Sequence, residues 1–342
     1  MPTMTRTRVS TIIKRNAQFA SQNRQAGQGQ NIVCVFAGAM SGIGARILER
    51  MLMVSYQSTV FYVLWQSSEP CSVHRKMVLE SILNRGCKLV FIDADASLIS
   101  DMDTASQQII GAEEKVDYLC MSKNDILLNK LTPDTSEGVE MDMSIWYFSR
   151  MRLLYNLLPL LRRSLRPRVL NILNDGFRGS TPKDYSGYGT ILQRTTVLNS
   201  LIFNYLATQN PKITFILSPM GLEVTEKSDD GDKPENMGVF LKAWRSILET
   251  RRDIFVQLFG RKPDRALERH IYYLTSAICG PGPFVVDKDH EIMCLTQPSG
   301  PILESDENRP DIVWEYTDKQ WEMALAHTET NSISIEITPV EP

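Results

Sequence analysis

Several kinds of feature are missing from this sequence, and each absence removes a class of function. No run of apolar residues approaches the roughly 20 needed to cross a bilayer, which leaves no reason to expect a membrane span. The six cysteines (Cys34, Cys71, Cys87, Cys120, Cys279, Cys294) contain no CxxC pair, so they read as reduced thiols of an intracellular protein, not as a metal or disulfide framework. None of the four histidines (His74, His270, His290, His327) is spaced with another ligand as a zinc site requires, so metal catalysis is not expected. Neither sign of charge dominates: the net charge is −3 over 342 residues, without the basic excess of a nucleic-acid binder.

Acidic residues are also absent before Glu49, while Arg6, Arg8, Lys14, Arg15 and Arg24 lie among Ser and Thr. Two readings stay open for residues 1–30. One is a basic, Gln-rich leader ahead of a cytoplasmic protein; the other, in the minority, is a mitochondrial transit segment.

What is present is an alternation of short β-branched runs with longer helical patterns. Strands are expected at 32–36, 59–65, 88–92, 118–121, 169–173, 213–217 and 284–286, and helices at 42–52, 72–84, 98–114, 138–163, 186–208 and 266–276. This order predicts an α/β fold, a doubly wound seven-stranded parallel sheet covered by helices on both faces. Residues 31–300 form the expected domain. Within it, the charged stretch 227–236 (KSDDGDKPEN) and the amphipathic stretch after it suggest a lid-like insertion over 227–260, or else a simple surface excursion. Residues 301–342 read as a C-terminal extension whose last dozen residues are disordered.

The first strand runs into Ala37-Gly38-Ala39-Met40-Ser41-Gly42-Ile43-Gly44 and then a helix. A strand that turns sharply into a helix beside a pyrophosphate needs backbone N–H groups and a positive helix end facing the ligand, with no β-carbons in the way. Gly38, Ser41, Gly42, Ile43 and Gly44 are therefore cofactor-binding candidates. At the end of the second strand an acid selects NAD and an arginine NADP; Gln66 commits to neither. His74, Arg75 and Lys76 nearby favour NADP modestly, or are simply the solvated first turn of a helix.

At this point the sequence resembles the short-chain dehydrogenase/reductase superfamily, and more closely its divergent members in fungal secondary-metabolite pathways. The likeness runs from about residue 31 to 327, through the glycine turn, Asp95-Ala96-Ser97-Leu98, Asp117-Tyr118-Leu119-Cys120, Tyr147-Phe148-Ser149-Arg150, Leu157-Leu158-Pro159-Leu160-Leu161-Arg162, Gln209-Asn210-Pro211 and Val313-Trp314-Glu315-Tyr316-Thr317. The resemblance implies that Asp95 and Ala96 lie along the adenine edge, although Asp95 equally suits a helix cap. It implies that Thr225, after Pro219-Met220-Gly221, borders the nicotinamide. It also implies pairing of subunits through the fourth and fifth helices, hence a possible homo-oligomer.

The family's catalytic set is degenerate here. Its tyrosine works with a lysine four residues on, because an unassisted phenol near pKa ~10 is a poor acid–base group at neutral pH. Tyr185 is followed at that spacing by Gly189 and Tyr188 by Leu192; the serine position reads Asn174, and the helix asparagine aligns with Trp146. Tyr185 or Tyr188 remains the candidate proton donor, with Asn174 orienting a carbonyl and Lys183 supporting a tyrosine from a loop. The expected function is NADP-dependent oxidoreduction of a carbonyl or hydroxyl on an apolar, polyketide- or terpenoid-like small molecule, with no nucleic-acid or membrane partner. The alternatives are a cofactor-independent cyclase or isomerase on the same scaffold, and a non-catalytic pseudoenzyme.

Overall fold

The computed structural model describes residues 9–25, 31–55, 58–68, 72–122, 133–173, 187–219, 265–286, 292–295 and 310–336. In chain order its elements are α1 (Val9–Gln25), β1 (Ile32–Ala37), α2 (Gly42–Val54), β2 (Thr59–Trp65), α3 (Ser72–Ser81), β3 (Lys88–Asp93), α4 (Ile99–Ala112) and β4 (Tyr118–Met121). There follow a single turn α5 (Met141–Met143), a π-helical turn (Ser144–Phe148), α6 (Ser149–Leu161), β5 (Arg168–Leu173), α7 (Gly187–Gln209) and β6 (Thr214–Pro219). The last elements are α8 (Arg265–Thr275), β7 (Gly282–Val286), β8 (Ile292–Cys294) and α9 (Pro310–Glu336).

The strands form one sheet in the order β3-β2-β1-β4-β5-β6-β7-β8. The first seven strands are parallel, and β8 joins β7 antiparallel. The seven strands expected from sequence are therefore all there, with an eighth at the edge. It escaped notice because three residues, Ile292 to Cys294, carry too little pattern to distinguish from a loop.

Both faces of the sheet are covered, as the apolar strands require. Alternate residues go to opposite sides: Val33, Val35 and Ala37 join a core with α4, α6, α7 and α9, while Cys34 and Phe36 join one with α1, α2 and α8. The order reverses between β1 and β4, which start their connections in opposite directions. That reversal opens a crevice at the carboxyl ends of the strands, where doubly wound folds bind their ligands.

Two expectations need correction, and the leader adds a feature that they did not include. The leader is helical over Val9–Gln25 and docked: Ile12 and Asn16, four residues apart on one face, are both 1% exposed. Asn16 Nδ2 donates to the Glu268 carboxylate (2.7 Å) and Arg15 to the Tyr272 hydroxyl, tying α1 to α8. The helix expected over 138–163 is broken into α5, the π turn and α6, because Ser149 N–H bonds Ser144 O five residues back while the Ser149 hydroxyl donates to the same carbonyl at 2.7 Å. Within the C-terminal extension Pro310–Glu336 is one helix, which takes in the first residues of the dozen expected to be disordered; it is anchored by Trp321 and Thr317, both fully buried.

Candidate functional site

The glycine turn has the backbone its sequence demands. Gly38 and Gly42 have φ of +77° and +60°, the left-handed region that disfavours side chains. Ser41 sits extended at the N-cap of α2, and its side chain makes no capping hydrogen bond. At a helix N-terminus of this kind the first N–H groups and the positive end of the dipole favour an anion. Ile43 is buried against the core, so its contribution to such a site is its backbone.

Ser122, the residue after β4, explains two of the glycines. A β-carbon on Gly38 would lie 1.9 Å from the Ser122 carbonyl oxygen, and one on Gly44 1.9 Å from Ser122 Oγ. Ser122 N–H donates to Ala37 O (2.9 Å) and its hydroxyl to Gly38 O (2.8 Å). Gly38 and Gly44 are thus required by the close approach of Ser122 at the end of β4.

At the far end of the crevice Gln66 and Asp95 meet: Gln66 Nε2 donates to Asp95 Oδ2 at 2.9 Å. The other Asp95 oxygen accepts from Ser97 N–H (2.8 Å) and Ser97 Oγ (2.7 Å), an Asx turn that leads the chain into α4. Ala96 lies exposed at the tip of that turn. Beside it Asp93 accepts the Ser67 N–H (2.9 Å) and hydroxyl, which lowers its carboxyl below the ordinary carboxylate value. Of the nearby bases, Arg75 is held in an ion pair with Glu49, whereas Lys76 Nζ lies 5.2 Å from the centroid of the Trp65 ring, the last residue of β2.

Of the candidate catalytic residues, Asn174, Lys183 and Tyr185 lie outside the described residues, as do Thr225 and the lid-like stretch 227–260. Tyr188 falls in the first turn of α7, where only the backbone is described. Trp146, at the position of the family's helix asparagine, is buried in the π turn.

Below the carboxyl ends of β4 and β5 lies a polar network that the sequence reading passed over. Arg150 Nη1 donates to Asn171 Oδ1 (2.6 Å) and Ile172 O (2.9 Å), and its Nε to Ile145 O (3.0 Å). Asn171 Nδ2 donates to Asn199 Oδ1 (2.7 Å), and Asn199 Nδ2 reaches the Trp146 carbonyl at 3.3 Å. The available signal was an arginine at a core-facing position of a helix otherwise lined by leucine and aromatic residues.

This architecture is the dinucleotide-binding fold of short-chain dehydrogenases/reductases. It matches L-sorbose reductase from Gluconobacter frateurii, solved with NADPH and L-sorbose, with a TM-score of 0.50 over 76% of this chain and 97% of that one at 15% identity. A Serratia marcescens short-chain dehydrogenase/reductase mutant matches with a TM-score of 0.50 over 76% and 98% of the two chains, also at 15% identity.

In sequence the chain is a divergent relative of fungal oxidoreductases. It is 28% identical over 72% of its length to an oxidoreductase of Emericella nidulans, of which the match also covers 72%. It is 29% identical to Oxidoreductase lepF of Aspergillus flavus over 65% of this chain and 66% of that one. It is likewise 29% identical to short-chain dehydrogenase/reductase SAT2 of Stachybotrys chartarum, over 53% and 57%. No family model matches the sequence. Among the described residues no helix is long and apolar enough to cross a membrane, and no group of His, Cys, Asp and Glu is placed to hold a metal ion.

Proposed function

We propose that this protein is an atypical short-chain dehydrogenase/reductase-like oxidoreductase of fungal secondary metabolism. It would be NADP-dependent and act on a carbonyl or hydroxyl of an apolar, polyketide- or terpenoid-like small molecule. The observation that carries the reading is the uncapped N-terminus of α2 behind Gly38 and Gly42, placed where the strand order reverses. The fungal relatives named oxidoreductase support the same class.

In this reading the turn from Gly38 to Gly44 holds the pyrophosphate through backbone N–H groups of Ser41, Gly42, Ile43 and Gly44. Gln66, Asp95 and Ala96 border the adenosine. Lys76 is the group that answers a 2′-phosphate, since Arg75 is already engaged by Glu49. Thr225 borders the nicotinamide. A bound nicotinamide cofactor supplies or accepts the hydride. Tyr185 or Tyr188 gives or takes the hydroxyl proton, Asn174 orients the substrate oxygen, and Lys183 supports the tyrosine.

The test is tryptophan fluorescence titrated with NADPH and with NADH, using Trp65→Phe as the control for the signal at the adenosine end. Quenching that is stronger with NADPH and reduced in the control is expected; a flat titration with both nucleotides sinks the reading. If nucleotide binds, Tyr185→Phe and Tyr188→Phe, made singly, show which tyrosine carries the proton.

One observation favours a second reading, a cofactor-independent cyclase or isomerase. Ser122 already packs against the space that Gly38 and Gly44 leave, which is sufficient to explain those glycines without a nucleotide. Turnover of substrate with no added nucleotide would select it.

A further inference from the structure

The start of α4 is capped from a distance. A helix leaves its first N–H groups without partners, and a side chain at the N-cap position ordinarily accepts one of them. Here that position is Leu98, which has no side-chain acceptor to offer. Glu137 takes its place: its carboxylate accepts the Ile99 N–H at 2.7 Å through Oε2 and the Ser100 N–H at 2.9 Å through Oε1. Glu137 is 3% exposed, and a buried carboxylate is tolerated only where hydrogen bonds and a positive helix end satisfy it. It is carried on a closed turn, in which Gly138 N–H donates to Thr135 O (2.9 Å) and Thr135 N–H to Val139 O (2.8 Å).

A second bond reaches the same segment. Ser144, the first residue of the π turn, donates its hydroxyl to Ser97 O at 2.6 Å, so the stretch from Ser97 to Ser100 is gripped at one end by Ser144 and at the other by Glu137. The grip bears on the crevice through Asp95. The Asp95 carboxylate accepts the Ser97 N–H (2.8 Å) and hydroxyl (2.7 Å), and its own N–H donates to Asp101 Oδ2 of α4 at 2.7 Å. Asp95 in turn receives Gln66 Nε2 from the end of β2 at 2.9 Å. The acids are closely packed: burial first, then the charges of Asp95, Glu137 and Asp93, raise the Asp101 carboxyl above its ordinary value despite the Asp95 N–H that it accepts.

We propose that Glu137 is a positioning residue for the adenosine end of the nucleotide site. By fixing where α4 begins, it holds Asp95 and Ala96 at the carboxyl edge of β2 and β3 in the shape that an adenosine meets. Without it the first N–H groups of α4 lose their acceptor and the turn from Asp95 to Leu98 loses an anchor, so a ligand has to order that turn as it binds. Removing such an ordering cost in advance shows as affinity. The proposal rests on the oxidoreductase reading, because it takes the edge at Gln66 and Asp95 as the seat of the adenosine. Glu137 acts through α4, its own carboxylate being buried and engaged by two N–H groups.

The experiment is isothermal titration calorimetry of ADP and of inorganic pyrophosphate with wild-type protein, Glu137→Ala and Glu137→Gln. Pyrophosphate reports the glycine turn alone, and the additional affinity of ADP reports the adenosine end. Glu137→Ala is expected to weaken ADP about ten-fold, the scale of one lost helix cap, with pyrophosphate affinity unchanged. Glu137→Gln keeps the shape and one acceptor, so its ADP affinity should fall between the other two. Circular dichroism melting sets a temperature at which the proteins are folded; if the alanine variant does not fold, an ADP-selective loss in the glutamine variant decides. An equal loss for ADP and pyrophosphate, or no loss for ADP, overturns the proposal. The premise fails separately: wild-type protein that binds neither ligand sinks the oxidoreductase reading and this proposal with it, whereas wild-type protein that binds ADP no more tightly than pyrophosphate overturns the proposal alone.

Discussion

The Ser122 hydroxyl donates a 2.8 Å hydrogen bond to the carbonyl of Gly38, fastening the end of β4 to the turn that opens α2. Through this contact, the end of β4 and the glycine turn ahead of α2 are held together.

Alanine at Gly38 and at Gly44 should therefore fail differently. At Gly38 the new β-carbon meets backbone, the Ser122 carbonyl at 1.9 Å, in a residue with φ of +77°. Left-handed strain of about 1–2 kcal/mol adds to overpacking of about 1–3 kcal/mol. At Gly44 the nearest obstacle is the Ser122 side chain. Urea denaturation should show Ser122→Gly recovering part of the stability lost in Gly44→Ala and none of that lost in Gly38→Ala. Equal recovery at both positions would contradict the assignment.

Glu268 on α8 holds the N-terminal helix. Its carboxylate accepts Asn16 Nδ2 at 2.7 Å and Arg50 Nε at 3.0 Å, and its side chain is 6% exposed. Glu268→Ala removes both side-chain contacts, while Asn16 Nδ2 keeps the Glu268 main-chain oxygen at 2.9 Å and Arg50 is partly open to water, so the loss is about 1–3 kcal/mol in all. The expected result is a lower melting temperature and faster proteolysis within α1; a protection pattern unchanged from wild type would show that α1 is held by packing alone.

Trp321 of α9 is fully buried, donates its indole N–H to Phe148 O at 3.1 Å, and packs against the rings of Trp314 and Tyr155 with the Arg152 guanidinium 5.1 Å from its centroid. Trp321→Ala should cost about 3–5 kcal/mol and lose much of the near-ultraviolet circular dichroism. Retention of both would mean that α9 contributes little to the folded state.

Alkaline stability follows from buried phenols. Desolvation holds Tyr118 and Tyr147 well above the ordinary tyrosine value, and Tyr62 is raised in the same direction by burial and by its 2.8 Å hydrogen bond to Glu113. Because the folded values exceed the unfolded value of about 10, their stabilising contribution is complete below that pH and is lost as pH rises toward the folded values. Tyrosinate absorbance should therefore appear in two stages, the second coincident with unfolding. A single titration of all tyrosines in folded protein would refute it.

The sheet and most of its helices were legible in the sequence, because a strand buried on both faces must be apolar throughout and an amphipathic helix repeats every three to four residues. The π turn was not, since Met143, Trp146, Tyr147 and Arg150 suit an unbroken helix equally well; only the bonds of Ser144 and Ser149 distinguish the two. The docking of α1 was hidden for a related reason: two residues, Ile12 and Asn16, carry its buried face. For Asp95 the sequence leaves an adenine contact and a helix cap open; its carboxylate forms an Asx turn with Ser97 and meets Gln66, while the first N–H groups of α4 donate to the distant Glu137 carboxylate, which no local pattern announces.

The amino-acid sequence by itself determined the glycine turn, its place between a strand and a helix, and the identity of the residues four positions after Tyr185 and Tyr188, which are Gly189 and Leu192. These are local facts of chain conformation and residue identity. Only the tertiary structure decided which glycines are sterically required, by bringing Ser122 against Gly38 and Gly44. It alone placed Arg150 under β4 and β5, because the environment of a buried charge is set by residues such as Cys120, Asn171 and Asn199 that are distant along the chain and meet only when the sheet closes.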